Sequence, residues 1–290
     1  MTTLNSSGSK GVINEKVAFD KNMIQKELDI DSDTYVIQGI CEVDDYLFVT
    51  AYNDSISKSS KVIIYDLDMN YVKEVLLNNN SHVGGITYDP INQIVWITDI
   101  QGTISGYNKD EFMVNDVINP KFYRLDVSKG LVNVYGNTSV AYIAYHDGYL
   151  FLGDYTAEAF STMKKFKVLD NGSINPDEYE KSYFYGLVQG LSFYDYNGST
   201  YMFVSSSIGN KFKSNMKLVK YDPNIKDYRN EKCLNFEMPN MLEQIYMNKD
   251  NKLYSAYESN AEKYFSGTKH SGDIIIEDLD EKIDEYINKL

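Results

Sequence analysis

Side chains with oxygen donors recur beside short apolar segments along most of the chain. They carry carboxylate or amide oxygens and comprise Gln38, Asp99, Asp154, Gln189, Glu243 and Glu258. Carboxylate and amide oxygens are the ligands that calcium takes in proteins. If the fold brings these residues to one channel, we expect Asp99, Asp154 and Glu243 to hold a calcium ion. Gln38, Gln189 and Glu258 would then contact a bound ligand.

His82 stands immediately before a segment that contains a glycine pair. A histidine at the rim of a channel can orient a ligand, or can act as a general base when a suitable partner is near. A structural role without a ligand remains an alternative both for His82 and for the carboxylates. His82 would be hydrogen-bonded to a loop backbone, and the carboxylates would line a water-filled channel and pair with backbone amides.

The elements that would position these residues repeat five times. Each repeat starts with an apolar residue, a small or amide-bearing residue and then Ile or Leu, at positions 36–40, 82–86, 139–143, 187–191 and 241–245. Consecutive starts are 46, 57, 48 and 54 residues apart. This spacing is the period of a propeller blade with loops of variable length.

Two further apolar segments follow each start, with polar turns between them. The second segments all end on a small residue and cover 46–50, 94–98, 149–153, 201–205 and 253–256. The third segments cover 62–66, 103–107, 165–170, 217–222 and 273–278. A fourth, outer strand is weaker, as an edge strand in water would be, and is clearest at 71–77. The sequence predicts an all-β propeller with five blades, and six is the alternative because 108–136 has room for two more strands.

The ends of the chain predict how the ring closes. The fifth repeat lacks a fourth strand, while the N-terminal segment offers one at 16–20 or at 23–28. We expect that strand to complete the last blade, because closure hides two sheet edges. Apolar residues at helical spacing between Leu279 and Leu290 predict a short C-terminal helix. The expected organisation is an N-terminal segment at 1–33, the propeller at 34–278 and the helix at 279–290, all within one domain.

Charge and hydropathy exclude several classes of function. The formal net charge is −14 and the pI is near 4.7, so nucleic acid is a poor partner. No apolar run approaches the ~20 residues that cross a bilayer, which argues against membrane insertion. The polar N-terminus lacks the apolar centre of a signal peptide. We therefore expect a soluble protein, extracellular if a signal peptide has been removed and cytoplasmic otherwise.

Two segments carry a family resemblance. Residues 82–86, which precede a strand bearing Trp96, and residues 239–245, which are followed by Tyr257 and Glu258, resemble bacterial propeller proteins, many of them exported. More distantly, the chain is similar to the calcium-dependent lactonase, arylesterase and strictosidine-synthase-like propellers. That resemblance implies a central calcium held at the channel mouth, with ligands at Gln38, Asp99, Asp154, Gln189 and Glu243.

Three functions remain open from the sequence. The first is a propeller that binds a protein, a glycan or a small molecule without catalysis, with or without a cation in its channel. The second is a calcium-dependent hydrolase of small esters or lactones in which Asp99, Asp154 and Glu243 hold the metal and His82 is the base. The third is a structural role with no site. No G-x-S-x-G or HExxH motif is present, and the two Ser-x-x-Lys matches, at 55–58 and 161–164, are short enough to arise by chance. The sequence therefore favours a role without catalysis but does not decide whether the protein is an enzyme.

Overall fold

Apolar strands separated by acidic and glycine turns fold into five sheets arranged around a central channel. The structure is a computed structural model that describes residues 12–15, 23–28, 34–55, 58–131, 140–157, 160–264 and 273–290. The prediction of a five-bladed β-propeller is confirmed.

The first half of the chain forms two N-terminal strands and the first two blades. Its strands are β1 (Val12–Glu15), β2 (Ile24–Lys26), β3 (Tyr35–Val43), β4 (Tyr46–Asn53), β5 (Lys61–Asp66), β6 (Tyr71–Leu77), β7 (Ile86–Asp89), β8 (Ile94–Thr98) and β9 (Thr103–Asn108). The chain then passes through helix α1 (Lys109–Val114) and strand β10 (Val117–Ile118) to strand β11 (Phe122–Asp126), which completes the second blade.

The second half of the chain forms the remaining three blades. Its strands are β12 (Val140–His146), β13 (Tyr149–Asp154), β14 (Phe160–Lys167), β15 (Glu180–Tyr185), β16 (Val188–Tyr196), β17 (Ser199–Ser206), β18 (Ser214–Lys220), β19 (Cys233–Met238), β20 (Leu242–Met247), β21 (Lys252–Tyr257) and β22 (Ile274–Asp278). Helix α2 (Ile283–Lys289) follows and is shorter than the predicted 279–290. Neither helix in the described part of the chain has the length and apolarity needed to cross a bilayer.

Both N-terminal strands join blades from the second half of the chain. Strand β2 pairs antiparallel with β22 and completes the fifth blade, as the sequence predicts for 23–28. The other predicted closure segment, 16–20, lies outside the described residues. Strand β1 pairs in parallel with β19 and adds a fifth strand to the fourth blade, which the sequence did not indicate. Strand β10 likewise leaves the second blade and pairs with β6 in the first.

The core consists of apolar clusters that lie between neighbouring blades. Each of the five clusters draws buried residues from two adjacent sheets, and one of them joins the fifth blade back to the first through Ile276 and Tyr65. Between the second and third blades, the buried Trp96 ring stacks on Phe122 with centroids 5.6 Å apart. The ring is therefore closed in two ways. Apolar side chains pack between the fifth and first blades, and strand β2 completes the fifth blade.

The inner strands approach one another closely at the channel. A Cβ on Gly39 would lie 2.7 Å from a side-chain oxygen of Gln244, and a Cβ on Gly190 would lie 2.7 Å from the Gln244 Cα. Such distances are shorter than atomic contact allows, so these positions require glycine. Because the inner strands lie so close together, only a few side chains fit between them at the centre of the channel. Those side chains determine what the channel can bind.

Candidate functional site

Gln244 fills the middle of the channel and links three blades. Its Oε1 accepts hydrogen bonds from the backbone N–H groups of Ile40 (3.2 Å) and Ile86 (2.9 Å), and its Nε2 donates to the Ile86 carbonyl (2.7 Å). The side chain is only 2% exposed. It thereby separates two ends of the channel. We call the end at the starts of the inner strands the upper mouth (Gln38, His82, Gln189, Glu243, Glu258). The opposite end is the lower mouth (Glu42, Tyr88, Tyr145, Phe193, Tyr246).

Two carboxyl groups meet at the upper mouth. Glu243 comes from the start of β20 and is 3% exposed, while Glu258 follows β21 in the same blade and is partly exposed. Burial, the charge of Glu258 and a hydrogen bond with it raise the pKa of Glu243 well above its usual value. Burial also raises the pKa of Glu258, and the hydrogen bond from Glu243 opposes that rise. Two adjacent buried carboxyls resist ionising together, so the pair favours a state in which Glu243 carries a proton and Glu258 does not.

Two glutamines from other blades flank this carboxyl pair. Gln38 Nε2 donates to Glu258 Oε2 (3.1 Å) and to its neighbouring carbonyl at Ile37 (2.8 Å), and Gln189 Nε2 lies 3.4 Å from Glu243 Oε1. Both partners of the Gln38 nitrogen are acceptors, which fixes the orientation of the amide. Gln38 is fully buried, and its Oε1 has no hydrogen-bond partner among the described residues. A buried acceptor without a donor is uncommon and marks a position where a ligand could bind.

A lysine ammonium lies beside the pair. Lys263 Nζ contacts the Tyr52 hydroxyl, pairs with Asp54 Oδ1 (3.0 Å) and sits 4.7 Å from the centroids of both the Tyr52 and Tyr264 rings. Its charge lowers the pKa of both glutamates, although burial has the larger effect on each. The upper mouth therefore already holds one cation above aromatic faces.

His82 lies at the rim of the upper mouth, as its place in the sequence predicts. Its imidazole stacks on the Tyr52 ring with centroids 4.3 Å apart and planes 25° apart. His82 is exposed to solvent, yet many protein atoms surround the ring, so desolvation and then the charge of Lys263 lower its pKa to about 4. His82 is therefore neutral at pH 7 and can accept a proton or a hydrogen bond.

Asp99 and Asp154 occupy equivalent positions but belong to contacts within their own blades. Asp99 accepts hydrogen bonds from Ser105 Oγ (2.7 Å) and lies 3.5 Å from Arg124 Nε. Asp154 Oδ1 accepts from the backbone N–H of Thr162 (2.7 Å). In the described part of the chain, no three residues of the His, Cys, Asp or Glu types form a group able to hold a metal. Glu243, Glu258, Gln38 and Gln189 are brought together, and Asp99 and Asp154 do not join them.

Three hydroxyl side chains near the ends of the second strands hold the inner strands, two of them between neighbouring blades and one, Thr98, within its own blade. Thr50 Oγ1 donates to the carbonyl of Val83 (2.9 Å), and Ser205 Oγ donates to the carbonyl of Glu243. Thr98 Oγ1 accepts from the backbone N–H of Gly85 (2.9 Å). These hydroxyls fix the backbone that carries His82 and Glu243, so the mouth is held by the rigid inner part of the blades.

Sequence reasoning missed Gln244 and Lys263. Gln244 takes the place in the fifth repeat that Gly39, Gly85 and Gly190 take in three others, so the departure from glycine was the available signal. Lys263 lies in a single 3₁₀ turn, Glu262–Tyr264, after the second strand of the fifth blade. No repeat constrains that loop, so nothing in the sequence pointed to it.

Two larger recesses lie away from the upper mouth. One of 420 Å³ forms the lower mouth, with Gln244 and Met247 among its lining residues. The other, of 520 Å³, lies between the outer parts of the first and fifth blades, where it is lined by Leu67, Tyr254 and Ile276 among others. Of the two, only the first reaches the channel axis.

Comparison with known proteins supports the fold and does not reach a family. No family model matches the chain, and no curated protein matches it. Among solved structures it is similar to phage phi92 endosialidase, with a TM-score of 0.53 and 11% identity, over 86% of this chain and 58% of that one. It is also similar to U3-55K, with a TM-score of 0.48 and 9% identity, over 83% of this chain and 95% of that one. At 11% identity the likeness to the endosialidase shows the propeller fold alone.

Proposed function

We propose that the protein is a binding propeller and that the upper mouth is its ligand-binding surface. The observation that carries this proposal is the meeting of the buried Glu243 and Glu258 carboxyl groups beside the Oε1 of Gln38, which has no hydrogen-bond partner among the described residues. Propellers commonly use the end of the channel for binding, because loops and inner strands from several blades converge there. The fold is compatible with such a role.

The ligand that fits this pair best is a cation. When the proton between the two carboxyls is lost, two adjacent negative charges remain. A cation bound between them would be stabilised by both. Both carboxylates and the Gln38 Oε1 are oxygen donors of the kind that calcium prefers. Asp99 and Asp154, which the sequence analysis included, already have partners within their blades and are left out of this proposed set. The proposed cation contacts are Glu243, Glu258 and Gln38.

Thermal unfolding with calcium and with a chelator tests this proposal. Calcium bound only by the folded protein stabilises it by about 2.7 kcal/mol at a hundredfold excess over the dissociation constant, which raises Tm by roughly 4 °C for a chain of this length. The rise should be larger at pH 8 than at pH 6, because the shared proton must leave. Glu258→Gln should abolish the rise.

A matched control separates the site from general charge effects. Glu237→Gln removes an exposed carboxylate from outer strand β19 and should leave the calcium-dependent rise unchanged. A wild-type Tm that is the same with calcium and with chelator would overturn the cation proposal. A rise that survives in Glu258→Gln would move the cation away from the upper mouth.

A calcium-dependent hydrolase of small esters or lactones is the second candidate. The observation that favours it is the neutral His82 at the same mouth, since a base must be unprotonated to accept a proton. It ranks second because His82 is stacked on Tyr52, and because the sequence has no G-x-S-x-G nucleophile motif. The absence of a calcium effect on Tm would remove the basis for this candidate as well.

A further inference from the structure

The lower mouth is a recess of 420 Å³ on the other side of Gln244 from the carboxyl pair. Its volume lies in the range of about 300–1,000 Å³ that small-molecule sites occupy. The residues that line it come from the later parts of the inner strands of all five blades, so the recess is centred on the channel. Nothing in the proposed function uses this end.

Aromatic rings form much of the wall. Tyr88, Tyr145, Phe193 and Tyr246 each line the recess and are each partly exposed. Phe193 is held in place by His146, which stacks on it with centroids 4.6 Å apart and planes 12° apart. Rings that are fixed by packing and open on one side bind apolar groups, and their faces attract cations within about 6 Å.

One carboxyl group faces this wall without an ion pair. Glu42 lies at the end of β3, where its Oε2 accepts a hydrogen bond from the neutral amide of Asn248 (3.2 Å). Among the described residues no ammonium or guanidinium group lies within 4.0 Å of it. The other lining carboxylate, Asp44, is already paired with Lys109 (2.6 Å) and accepts from the Tyr88 hydroxyl (3.1 Å). Of the two carboxylates that line the recess, Asp44 has an ion-pair partner and Glu42 has none among the described residues.

The turns around this mouth add to the negative charge. Exposed aspartates lie in or just before four of the connections between an inner strand and its second strand, namely Asp44 and Asp45, Asp147, Asp195, and Asp250. Lys249 lines the same mouth, and its charge partly offsets that of Glu42 at longer range. Since aspartates outnumber lysines here, the potential favours the approach of a cation.

We infer that the lower mouth binds a small organic cation, an ammonium or guanidinium group attached to an apolar body. The aromatic wall receives the apolar body and the face of the cation, and Glu42 receives the charge. A neutral sugar would leave the carboxylate without a charged partner, and an anion would be repelled by the rim. This inference is independent of the proposed function, because Gln244 separates the two ends.

Isothermal titration calorimetry with benzyltrimethylammonium tests the inference, with benzyl alcohol as a neutral ligand of similar shape and N-acetylglucosamine as a neutral sugar. We expect saturable binding of the cation and no binding of either neutral compound. Glu42→Gln and Phe193→Leu should each weaken binding of the cation at least tenfold. Glu237→Gln, on the outer strand β19, should bind as the wild type does.

Circular dichroism and Tm measurements establish that each variant is folded. Glu42→Gln changes no side-chain volume, so it remains informative if Phe193→Leu fails to fold. Absence of saturable heat with benzyltrimethylammonium overturns the inference. Equal affinity for benzyl alcohol, unchanged affinity in Glu42→Gln, or saturable binding of N-acetylglucosamine also overturns it, since each shows that the charge is not what the site recognises.

Discussion

The two ends of the channel are built from the same five strands and yet differ in chemistry. At the upper mouth two carboxyls with raised pKa values meet and amides and a lysine surround them. At the lower mouth one carboxyl, Glu42, faces aromatic rings without an ion pair, and the other, Asp44, is paired with Lys109. Consecutive residues of a strand point in different directions. Glu243 faces the upper mouth and the next residue, Gln244, fills the channel. One repeat therefore supplies both the site and the barrier behind it.

This difference indicates that Gln244 divides the channel into two ends of different chemistry rather than leaving one continuous pore. Gln244 occupies the space that glycines leave in other repeats, and its three hydrogen bonds make it part of the framework. Ligands at the two ends would bind without contact with each other. If Gln244 is part of the framework, and if Glu243 and Glu42 differ in how strongly burial raises their pKa values, three substitutions should change the free energy of unfolding by decreasing amounts.

Gln244→Ala should have the largest effect. It leaves the N–H groups of Ile40 and Ile86 and the Ile86 carbonyl buried without partners, each at a cost of about 1–3 kcal/mol. We expect the free energy of unfolding to fall by about 3 kcal/mol or more. Urea denaturation followed by circular dichroism measures it.

Gln189→Ala is the control for the loss of an amide. Its side chain is partly exposed, and its hydrogen bond to Glu243 is long at 3.4 Å, so water can replace it. We expect a change below about 1 kcal/mol. If Gln244→Ala were no more destabilising than Gln189→Ala, the barrier between the mouths would not be a structural element.

Glu243→Gln should have the next largest effect, and the effect should depend on pH. Above its usual value of 4.5 the carboxyl ionises in the unfolded chain but stays protonated in the fold. The folded state then binds more protons, so wild-type stability falls as pH rises toward the folded pKa, by about 1.4 kcal/mol per unit of pH. Glutamine cannot titrate, and the fall should be missing from Glu243→Gln.

Urea unfolding at pH 5, 6, 7 and 8 measures this difference. Other carboxyls with raised pKa values, such as Asp273 at about 6, contribute equally to both proteins and cancel in the comparison. Glu237→Gln should retain the wild-type slope. Parallel curves for wild type and Glu243→Gln would show that Glu243 is ionised in the fold and that no proton is shared at the upper mouth.

The sequence predicted the blades well because each blade is a local repeat of apolar strands and polar turns. It missed that β1 joins the fourth blade and β10 the first, since strands of two to four residues carry little pattern and their partners are distant in the chain. Aligning the repeats placed Glu243 and Gln189 at one mouth correctly. The same alignment predicted that Asp99 and Asp154 occupy equivalent positions just after their second strands. It did not predict the direction of their side chains, which form hydrogen bonds within their own blades.

Glu42→Gln should have the smallest effect on stability. Burial raises the pKa of Glu42, and so do Asp45 and Asp250, but the hydrogen bond from Asn248 and the charge of Lys249 oppose the rise. The sign is therefore the same as for Glu243, with stability present at low pH and lost as pH rises through the folded pKa. Because Glu42 is only half-buried and has no second carboxyl bonded to it, its slope should be the smaller of the two.

The same urea series compares the two carboxyls directly. A smaller pH-dependent difference for Glu42→Gln than for Glu243→Gln would show that the paired carboxyl, and not burial alone, distinguishes the upper mouth. Equal differences would mean that Glu243 titrates like an isolated buried carboxyl. The two ends would then differ only in the aromatic wall of the lower mouth, because Glu42 and Glu243 would have similarly raised pKa values.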